Sequence, residues 1–174
     1  RSWVVFAESQ TQGKGRLGRQ WVSPSSKGLW FSVLLRPPLK PSEMTQLTVI
    51  SATSLARAIR ENTALEPEIK WPNDILIRGR KVAGVLTEMR AEPDRVSHAA
   101  IGIGINVNLT SSDFPQELRD HATSLAMEAG RPVCRSSLAV SILQALEQDY
   151  RRILNGCFKE VAREWTDQCV TLGL

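Results

Sequence analysis

The stretch ILIRGRKVAGVLTEMR, residues 75–90, decides between the fold classes open to this chain. Its two apolar runs are separated by a polar segment in which Gly79 supplies the turn residue of a β-hairpin. The run HAAIGIGINVNL, residues 98–109, follows and predicts a further strand whose glycines permit close backbone packing. Strands that follow one another in hairpins favour an antiparallel or mixed sheet over a doubly wound parallel sheet.

Earlier runs add more strands. WVVFA (residues 3–7) and LWFSVLL (residues 29–35) are rich in β-branched and aromatic residues, and EIK (residues 68–70) precedes a turn-like WPND. The polar, glycine-bearing sequence between the first two runs predicts a long loop that joins two strands.

Helical periodicity interrupts the strands. Apolar residues recur at near-helical spacing after Ser42, the predicted N-cap, and Pro67 lies beyond the helix end. The same spacing predicts a helix over residues 136–154 and a short helix over residues 159–166. Strands in hairpins together with these helices predict an α+β fold.

The composition narrows the class of protein. A chain of 174 residues with 42% hydrophobic residues can form one domain with its own core. The net charge of +4 suits anionic ligands, but 18 acidic residues are spread along the same chain. Charge alone therefore does not argue for nucleic acid, and no apolar stretch approaches the roughly 20 residues of a membrane span.

The cysteines and the chain ends give two further expectations, one about the redox compartment and one about the length of the protein. Cys134, Cys157 and Cys169 are widely spaced without a CxxC pair, which supports neither a disulfide framework nor a zinc site and indicates a reducing cytosol. The chain opens with Arg1 and ends with CVTLGL, residues 169–174, which reads as an interrupted strand. We therefore expect a fragment of a longer protein.

The segment GKGRLGRQW, residues 13–21, matches GxGxxG but not its usual context. No apolar helix follows the glycines, no acidic residue lies about 20 positions on, and no GK[ST] closes a phosphate loop. What remains is a glycine-rich loop whose Lys14, Arg16 and Arg19 could bind an anion, with phosphate as the candidate. The alternative is a solvated basic loop without a ligand. Trp21 could cover a planar ligand or belong to the core.

Three later segments could contribute to the same site. In KWPND, residues 70–74, the proline forces an extended backbone and the last two residues can bond either their own turn or a ligand. Lys81 could be a solvated edge charge or point into a pocket. The glycines of GIGIN, residues 102–106, leave room for an adenine, a sugar or a neighbouring helix.

Four segments, in their order and spacing, closely resemble the catalytic domain of the biotin protein ligases, the biotin–[acetyl-CoA-carboxylase] ligases. The segments are GKGRLGRQW, KWPND, RKVAGVLTE and GIGINVN. By motif the resemblance spans about residues 6–108. It implies a mixed β-sheet with helices packed on one face, related to class II aminoacyl-tRNA synthetase catalytic domains. It further implies a catalytic domain over residues 1–164 and the start of a C-terminal β-domain over residues 165–174.

The resemblance also implies an activity. In that family biotin and Mg²⁺–ATP give biotinyl-5′-AMP and pyrophosphate, and the biotinyl group then passes to one lysine of a biotin carboxyl carrier protein, a subunit or domain of acetyl-CoA carboxylase. The expected substrates are thus biotin and ATP, with Mg²⁺ as cofactor and no identified metal ligand. Homodimers are common in the family, and the enzyme is expected to be cytoplasmic.

By the family's pattern, biotin is bound by residues from the loop and the hairpin. Gln10, with the backbone at Gly13 and Lys14, contacts the ureido group, Trp21 packs on the ligand, and Gly84 lets biotin lie against the strand.

The family's pattern also predicts which residues bind the nucleotide. Arg16 and Arg19 face the phosphates, Asn73 and Asn106 belong to the nucleotide site, and Asp74 orients a cation or polar group there. Trp21 is shared with this side. Lys81 is expected to bridge the biotin carboxylate and the α-phosphate, and it forms the catalytic set together with Arg16 and Arg19.

The chain departs from the family pattern in two places. Lys14 stands where the family's GRGRxGRxW loop has its first arginine, and the family's Ser-Thr-Asn segment upstream of the loop is missing. Two alternatives stay open: a lipoate or octanoate ligase or transferase of the same fold, and a biotin-responsive binding or repressor module. DNA binding is not supported, since the basic segment lies on a loop.

Overall fold

The computed structural model describes residues 2–171 of the chain. A six-stranded sheet forms the centre of the fold, in the order β1-β2-β6-β5-β4-β3. The strands are β1 (Trp3–Ala7), β2 (Leu29–Leu35), β3 (Glu68–Lys70), β4 (Asp74–Ile77), β5 (Arg80–Ala91) and β6 (Val96–Ile105). All pairings between these strands are antiparallel, and parallel contacts in the described residues are isolated bridges such as Ile69 with Cys169.

Helices cover one face of the sheet. The helices are α1 (Thr45–Thr63), α2 (Leu125–Ala129), α3 (Arg135–Leu154) and α4 (Phe158–Gln168). Helix α1 packs against the sheet, while α3 and α4 pack on α1. The predicted α+β fold, with helices on one face of the sheet, is confirmed.

Two details of the helices differ from the sequence prediction. Helix α1 begins after Met44 instead of Ser42, because Pro41–Glu43 forms a separate 3-10 turn closed by a bond from the Lys40 N–H to the Glu43 carboxylate. Helix α2 was not predicted, since its five residues are too few to show a periodicity.

The hairpin predicted at Gly79 is present. Arg78 and Gly79 both have positive φ angles, 50° and 76°, so a two-residue turn joins β4 to β5. This backbone matches the twist of the flanking strands, and glycine adopts it without steric cost.

Alternation along β6 separates the two faces of the sheet. Ala99, Ile101, Ile103 and Ile105 are buried in the core formed with the helices. The residues between them, including Gly102 and Gly104, lie on the opposite face, which we call the open face. Period-two alternation therefore gives one strand an apolar face and a face made of small residues.

The domain boundary predicted at residue 165 stays a prediction, and it falls within helix α4. The sequence placed the start of a β-domain at residue 165, but α4 continues to Gln168 and Trp165 is buried in the helical core. Cys169 then forms a bridge to β3. The predicted interrupted strand extends to residues 172–174, which lie outside the described residues. Within residues 2–171, no helix is both long and apolar enough to cross a membrane.

Candidate active site

The glycine- and arginine-rich loop forms a small hairpin over the open face. The Trp21 N–H donates to the Gly13 carbonyl at 2.8 Å, and the Gly15 N–H donates to the Arg19 carbonyl at 2.7 Å. The loop encloses a cleft of about 680 Å³ lined by residues 11–20 together with Leu86 and Glu88. The sequence interpretation that this loop borders a ligand site therefore has a physical cavity to support it.

The tip of the loop has few contacts with the rest of the protein. Leu17 has a φ of 57° and a side chain that is 89% exposed. The Arg16 Nη1 donates to Asn73 Oδ1 at 3.4 Å, which links the loop to the WPND segment. A loop held by one long bond can move toward a bound ligand at little energetic cost.

The indole of Trp21 lies on two glycines of the open face. A Cβ at Gly104 would lie 2.7 Å from Trp21 Cε2, and one at Gly84 would lie 3.1 Å from Trp21 Cζ3. The sequence predicted that biotin, an adenine, a sugar or a helix lies against these strand glycines. The structure shows instead that Trp21 makes the close approach, so the strand glycines are required by a protein side chain.

A second apolar cluster backs this indole. Trp30, Leu109 and Phe114 form a buried group on the open face, and Trp21 packs against it. The rings of Trp21 and Trp30 meet edge to face, with centroids 6.3 Å apart. Trp21 is thus a packed residue beside the Lys81–Asp74 pair, and its contact with a ligand stays a prediction.

Lys81 and Asp74 form an ion pair beside Trp21. The Lys81 Nζ is 2.7 Å from Asp74 Oδ1 and 5.1 Å from the centre of the Trp21 ring. The side chains of Lys81 and Asp74 are 34% and 26% exposed, so the ammonium group is held yet accessible. An aromatic face and a carboxylate both favour the cation there, which is consistent with a ligand-facing Lys81; its role at a ligand site stays a prediction.

A β-bulge turns Lys81 toward the open face. Ile75 pairs with Ala83 and Leu76 with Lys81, so Val82 is an extra residue in β5. Strict alternation would place Lys81 and Gly84 on opposite faces. Because the bulge adds one residue, the Lys81 side chain instead lies 3.3 Å from the position of a Gly84 Cβ.

Gln10 stands at the entrance of the loop. Its Oε1 accepts a bond from Ser23 Oγ at 3.3 Å and lies 2.6 Å from the position that a Gly13 Cβ would occupy. Gly13 is therefore required by the packing of Gln10 and of the Trp21 carbonyl, 2.4 Å from the same position. This geometry brings Gln10 and Gly13 together, and their predicted contact with the biotin ureido group stays a prediction.

The two asparagines occupy different positions. Asn73 donates its Nδ2 to the Val85 carbonyl at 2.7 Å and turns its Oδ1 toward Arg16 at the site. Asn106 is only 5% exposed, and its Nδ2 donates to the Thr123 carbonyl at 3.0 Å. Asn73 thus contacts the tip of the cleft loop, whereas Asn106 is buried and bonds to the Thr123 carbonyl.

Sequence reasoning missed several residues around the site. Leu86 and Glu88 line the cleft because they continue the open-face alternation that starts at Gly84, a signal present in the sequence. Thr123, which bonds to the Lys81 backbone, and Glu128, which bonds to Arg78 and Arg80, had no such signal because these contacts join segments distant in the chain.

The charges of the site favour a polyanionic ligand. Lys14, Arg16 and Arg19 line the cleft together with the acidic Glu88, and Lys81 lies outside this lining, paired with Asp74 beside Trp21. Within the described residues, no group of three or more histidine, cysteine, aspartate or glutamate side chains is placed to bind a metal ion. The arrangement can bind and neutralise phosphate and carboxylate groups.

Comparison with characterised proteins gives consistent results. The chain is 42% identical over 170 residues to "Bifunctional ligase/repressor BirA" of Bacillus subtilis, which covers 98% of this chain and 52% of that protein. It is 38% identical over 108 residues to "Biotin--[acetyl-CoA-carboxylase] ligase" of Paracoccus denitrificans, covering 61% of this chain and 44% of that protein. The chain thus spans about half the length of these relatives.

A solved structure and a family model agree with the fold. The structure "Biotin protein ligase from Aquifex aeolicus in complex with biotin and ATP" superposes with a TM-score of 0.84 at 33% identity, covering 98% of this chain and 69% of that one. The model described as "Biotin/lipoate A/B protein ligase family" matches residues 1–106. The chain belongs to the biotin/lipoate A/B protein ligase family.

Proposed function

We propose that this chain is the catalytic part of a biotin–[acetyl-CoA-carboxylase] ligase, which forms biotinyl-5′-AMP from biotin and ATP and then biotinylates a carrier protein. The observation that carries the proposal is the Lys81 ammonium group, paired with Asp74 at 2.7 Å and placed over Trp21 beside a basic loop. The identity to ligases from Bacillus subtilis and Paracoccus denitrificans supports the same activity.

The first half-reaction joins two anions. An oxygen of the biotin carboxylate attacks the α-phosphorus of ATP, the bond to the bridging oxygen breaks, and pyrophosphate leaves with the electron pair. Catalysis then requires positioning and charge neutralisation more than proton transfer. Lys81 is the group that holds the carboxylate and the α-phosphate together, while Arg16 and Arg19 neutralise phosphate oxygens.

In the second half-reaction the neutral ε-amine of a carrier lysine attacks the acyl carbon of the adenylate. The amide forms, the bond from the acyl carbon to the phosphate oxygen breaks, AMP leaves, and the amine loses a proton to solvent. Water competes with this amine. The weakly held loop tip at Arg16–Gly18 can close over the adenylate and exclude water.

The binding roles follow the position of each residue. Gln10, Gly13 and Lys14 at the base of the loop are assigned to the biotin ureido group, supported by their shared packing. Trp21 separates the two ligands, and Gly84 contributes by leaving room for that indole.

On the nucleotide side, Asn73 and Asp74 are assigned direct roles, Asn73 through its bond to Arg16 and Asp74 by holding the Lys81 ammonium group. Asn106 contributes indirectly, since its amide supports the segment at Thr123.

Magnesium enters this proposal bound to ATP. The described residues hold no ligand cluster that would bind a metal by itself. Mg²⁺ commonly binds to substrate phosphates with several waters and one or two carboxylates, and it neutralises phosphate charge when bound. No reaction step of this chain's residues depends on a preformed metal site.

ATP–pyrophosphate exchange by the full-length protein tests the proposal. The acid added is biotin, lipoate, octanoate or none. Exchange with biotin alone is the expected result, and incorporation of biotin into a carrier protein would then establish the second step. Exchange with lipoate or octanoate would assign the other branch of the family, and no exchange with any acid would refute the ligase proposal.

Three further assignments belong with this proposal. The exposed apolar edge strand β1, with Trp3 67% and Val5 64% exposed, is compatible with a homodimer, which sedimentation would test.

A cytoplasmic location is proposed from the three free cysteines. The basic cluster lies on the cleft loop, so we assign it to ligand binding in preference to DNA; retention of the full-length protein on DNA-cellulose would contradict this.

A further inference from the structure

The backbone of Lys81 is held by a segment that is distant in sequence. The Lys81 N–H donates to the His121 carbonyl at 2.8 Å, and the Thr123 N–H donates to the Lys81 carbonyl at 2.9 Å. These two bonds form a parallel bridge between Lys81 and Ala122, at the point where the bulge interrupts the pairing of β4 and β5. The direction of the Lys81 side chain therefore depends on where residues 121–123 lie.

Buried polar bonds fix that segment in turn. The Thr123 carbonyl accepts from Asn106 Nδ2 at 3.0 Å, and Thr123 Oγ1 donates to Glu128 Oε1 at 2.7 Å. Thr123 is fully buried, so both bonds are made away from solvent, where a lost partner is most costly.

The Glu128 carboxylate binds the hairpin as well. Its side chain is 1% exposed, Arg78 Nη1 donates to Oε2 at 3.1 Å, and Arg80 Nη2 donates to Oε1. Arg80 directly precedes Lys81, and Arg78 lies in the turn. The Glu128 carboxylate thus connects the turn at Arg78, the first residue of β5 and residues 121–123.

A second buried carboxylate, that of Asp149, accepts bonds from the same kinds of donor but does not contact the site. Asp149, fully buried in α3, accepts from Ser54 Oγ at 2.8 Å and from Arg57 and Arg152. Each carboxylate has one hydroxyl and two guanidinium partners. Asp149 joins α1 and α3, whereas the partners of Glu128 flank Lys81, so the two sites form a matched pair for experiment.

We propose that Glu128 is a positioning residue for the biotin-activation step, acting through Thr123 and the hairpin arginines to hold the Lys81 ammonium group at Asp74 and Trp21 on the open face. This inference rests on the proposed ligase function. It predicts that loss of the Glu128 carboxylate lowers the rate of the step that Lys81 performs, with a smaller change in the binding of biotin.

The experiment is a double-mutant cycle on the full-length protein. Glu128→Gln should lower kcat of biotin-dependent ATP–pyrophosphate exchange by about 10- to 100-fold while KM for biotin changes less than about threefold. In a Lys81→Ala background the same change should have little further effect on kcat, because there is no ammonium group left to misplace. Equal losses in both backgrounds would overturn the proposal and leave Glu128 a structural residue.

Two further variants guard against misfolding. Thr123→Val removes one donor and leaves both arginines on the carboxylate, so it should lower kcat in the same direction by a smaller factor. Asp149→Asn disturbs a carboxylate of matched chemistry, and it should lower the unfolding midpoint without changing kcat. A kcat loss in Asp149→Asn as large as that in Glu128→Gln would contradict a specific role.

A readout without substrates separates this proposal from the ligase function. After ¹³C reductive methylation, the Lys81 signal, identified by its loss in Lys81→Ala, should shift in Glu128→Gln and stay unchanged in Asp149→Asn. No exchange by the wild type would refute the ligase function, while this signal would still test the positioning. An unchanged Lys81 signal in Glu128→Gln would refute the positioning alone.

Discussion

The two faces of the central sheet share strands but differ in what they require of each residue. On the helix-covered face, β6 presents Ile101, Ile103 and Ile105, which are buried at 0–3% exposure in the main core. On the open face the alternate residues Gly102 and Gly104 are small, and an indole fills the space above Gly104.

The contrast between the two faces shows that one strand can stabilise the fold with one face and contribute to the candidate site with the other. Changes on the helix-covered face remove apolar burial, so they should lower the free energy of unfolding and leave ligand binding intact. Changes on the open face should alter turnover or affinity with little effect on unfolding. The Lys81→Ala and Ile103→Ala experiments measure both quantities, and the others measure the one on which the change should act.

The largest effect is expected for Lys81→Ala on the open face. Formation of biotinyl-5′-AMP in a single turnover should fall by about 10²- to 10³-fold, because the cation that neutralises two anions is lost. The unfolding midpoint should change little, since the Lys81 side chain is 34% exposed. Lys40→Ala, at an exposed position away from the cleft, is the control. A near-normal single-turnover rate would remove Lys81 from the catalytic set.

Ile103→Ala tests the opposite face of β6. The side chain is 3% exposed in the core, so the free energy of unfolding in urea should fall by about 2–5 kcal/mol. KM for biotin should stay unchanged at temperatures where the variant is folded. A large rise in KM without loss of stability would break the separation between the faces.

Arg16→Gly tests the loop above the open face. Loss of a charge-assisted contact to the adenylate phosphate should speed release of biotinyl-5′-AMP by about 10- to 100-fold. Released adenylate would then label lysines indiscriminately, which mass spectrometry of a mixture of carrier and bystander proteins detects. Labelling that remains confined to the carrier protein would argue against a retaining role for Arg16.

Gly104→Ala tests the contact between the open face and the indole. The added Cβ would lie 2.7 Å from Trp21 Cε2, so Trp21 must move. We expect KM for biotin or ATP to rise by about tenfold, in line with the cost of overpacking a close contact. Unchanged KM values would show that the position of Trp21 does not matter to the ligands.

The smallest effect concerns the acid stability of the helical layer. A hydrogen bond from Arg152 and its charge hold the pKa of Glu164 below its usual range. A lowered folded-state pKa stabilises the protein above the unfolded pKa, and that stability is lost as the pH falls through the folded value, below about pH 4.3. Between pH 6 and pH 3.5 the wild type should therefore lose slightly more stability than Glu164→Gln. Equal losses would mean that the pair contributes nothing, as for many exposed ion pairs.

Much of the fold followed from local sequence. The bounds of β1 and β2 agree with the predicted runs, and the turn at Gly79 is where the glycine indicated. Such features depend on side-chain alternation and on backbone angles that are properties of neighbouring residues.

The order and spacing of the loop, KWPND, hairpin and glycine-strand motifs also determined the family, which the comparisons confirmed. The cations of the site could be named for the same reason, since each belongs to a motif that is short in sequence.

Only the tertiary structure decided how these residues face one another. Trp21 packs on Gly84 and Gly104, and residues 121–123 bond to the backbone of Lys81, so both contacts join segments that are distant in the chain. The bulge at Val82 turns Lys81 to the open face and depends on how β4 pairs with β5. A one-residue change of register reverses the face of a side chain, and register is fixed by pairing and packing across the whole sheet. The sequence alone therefore determined the family and the short motifs that carry the candidate site residues, and the packed sheet determined where those residues point and which further residues lie beside them.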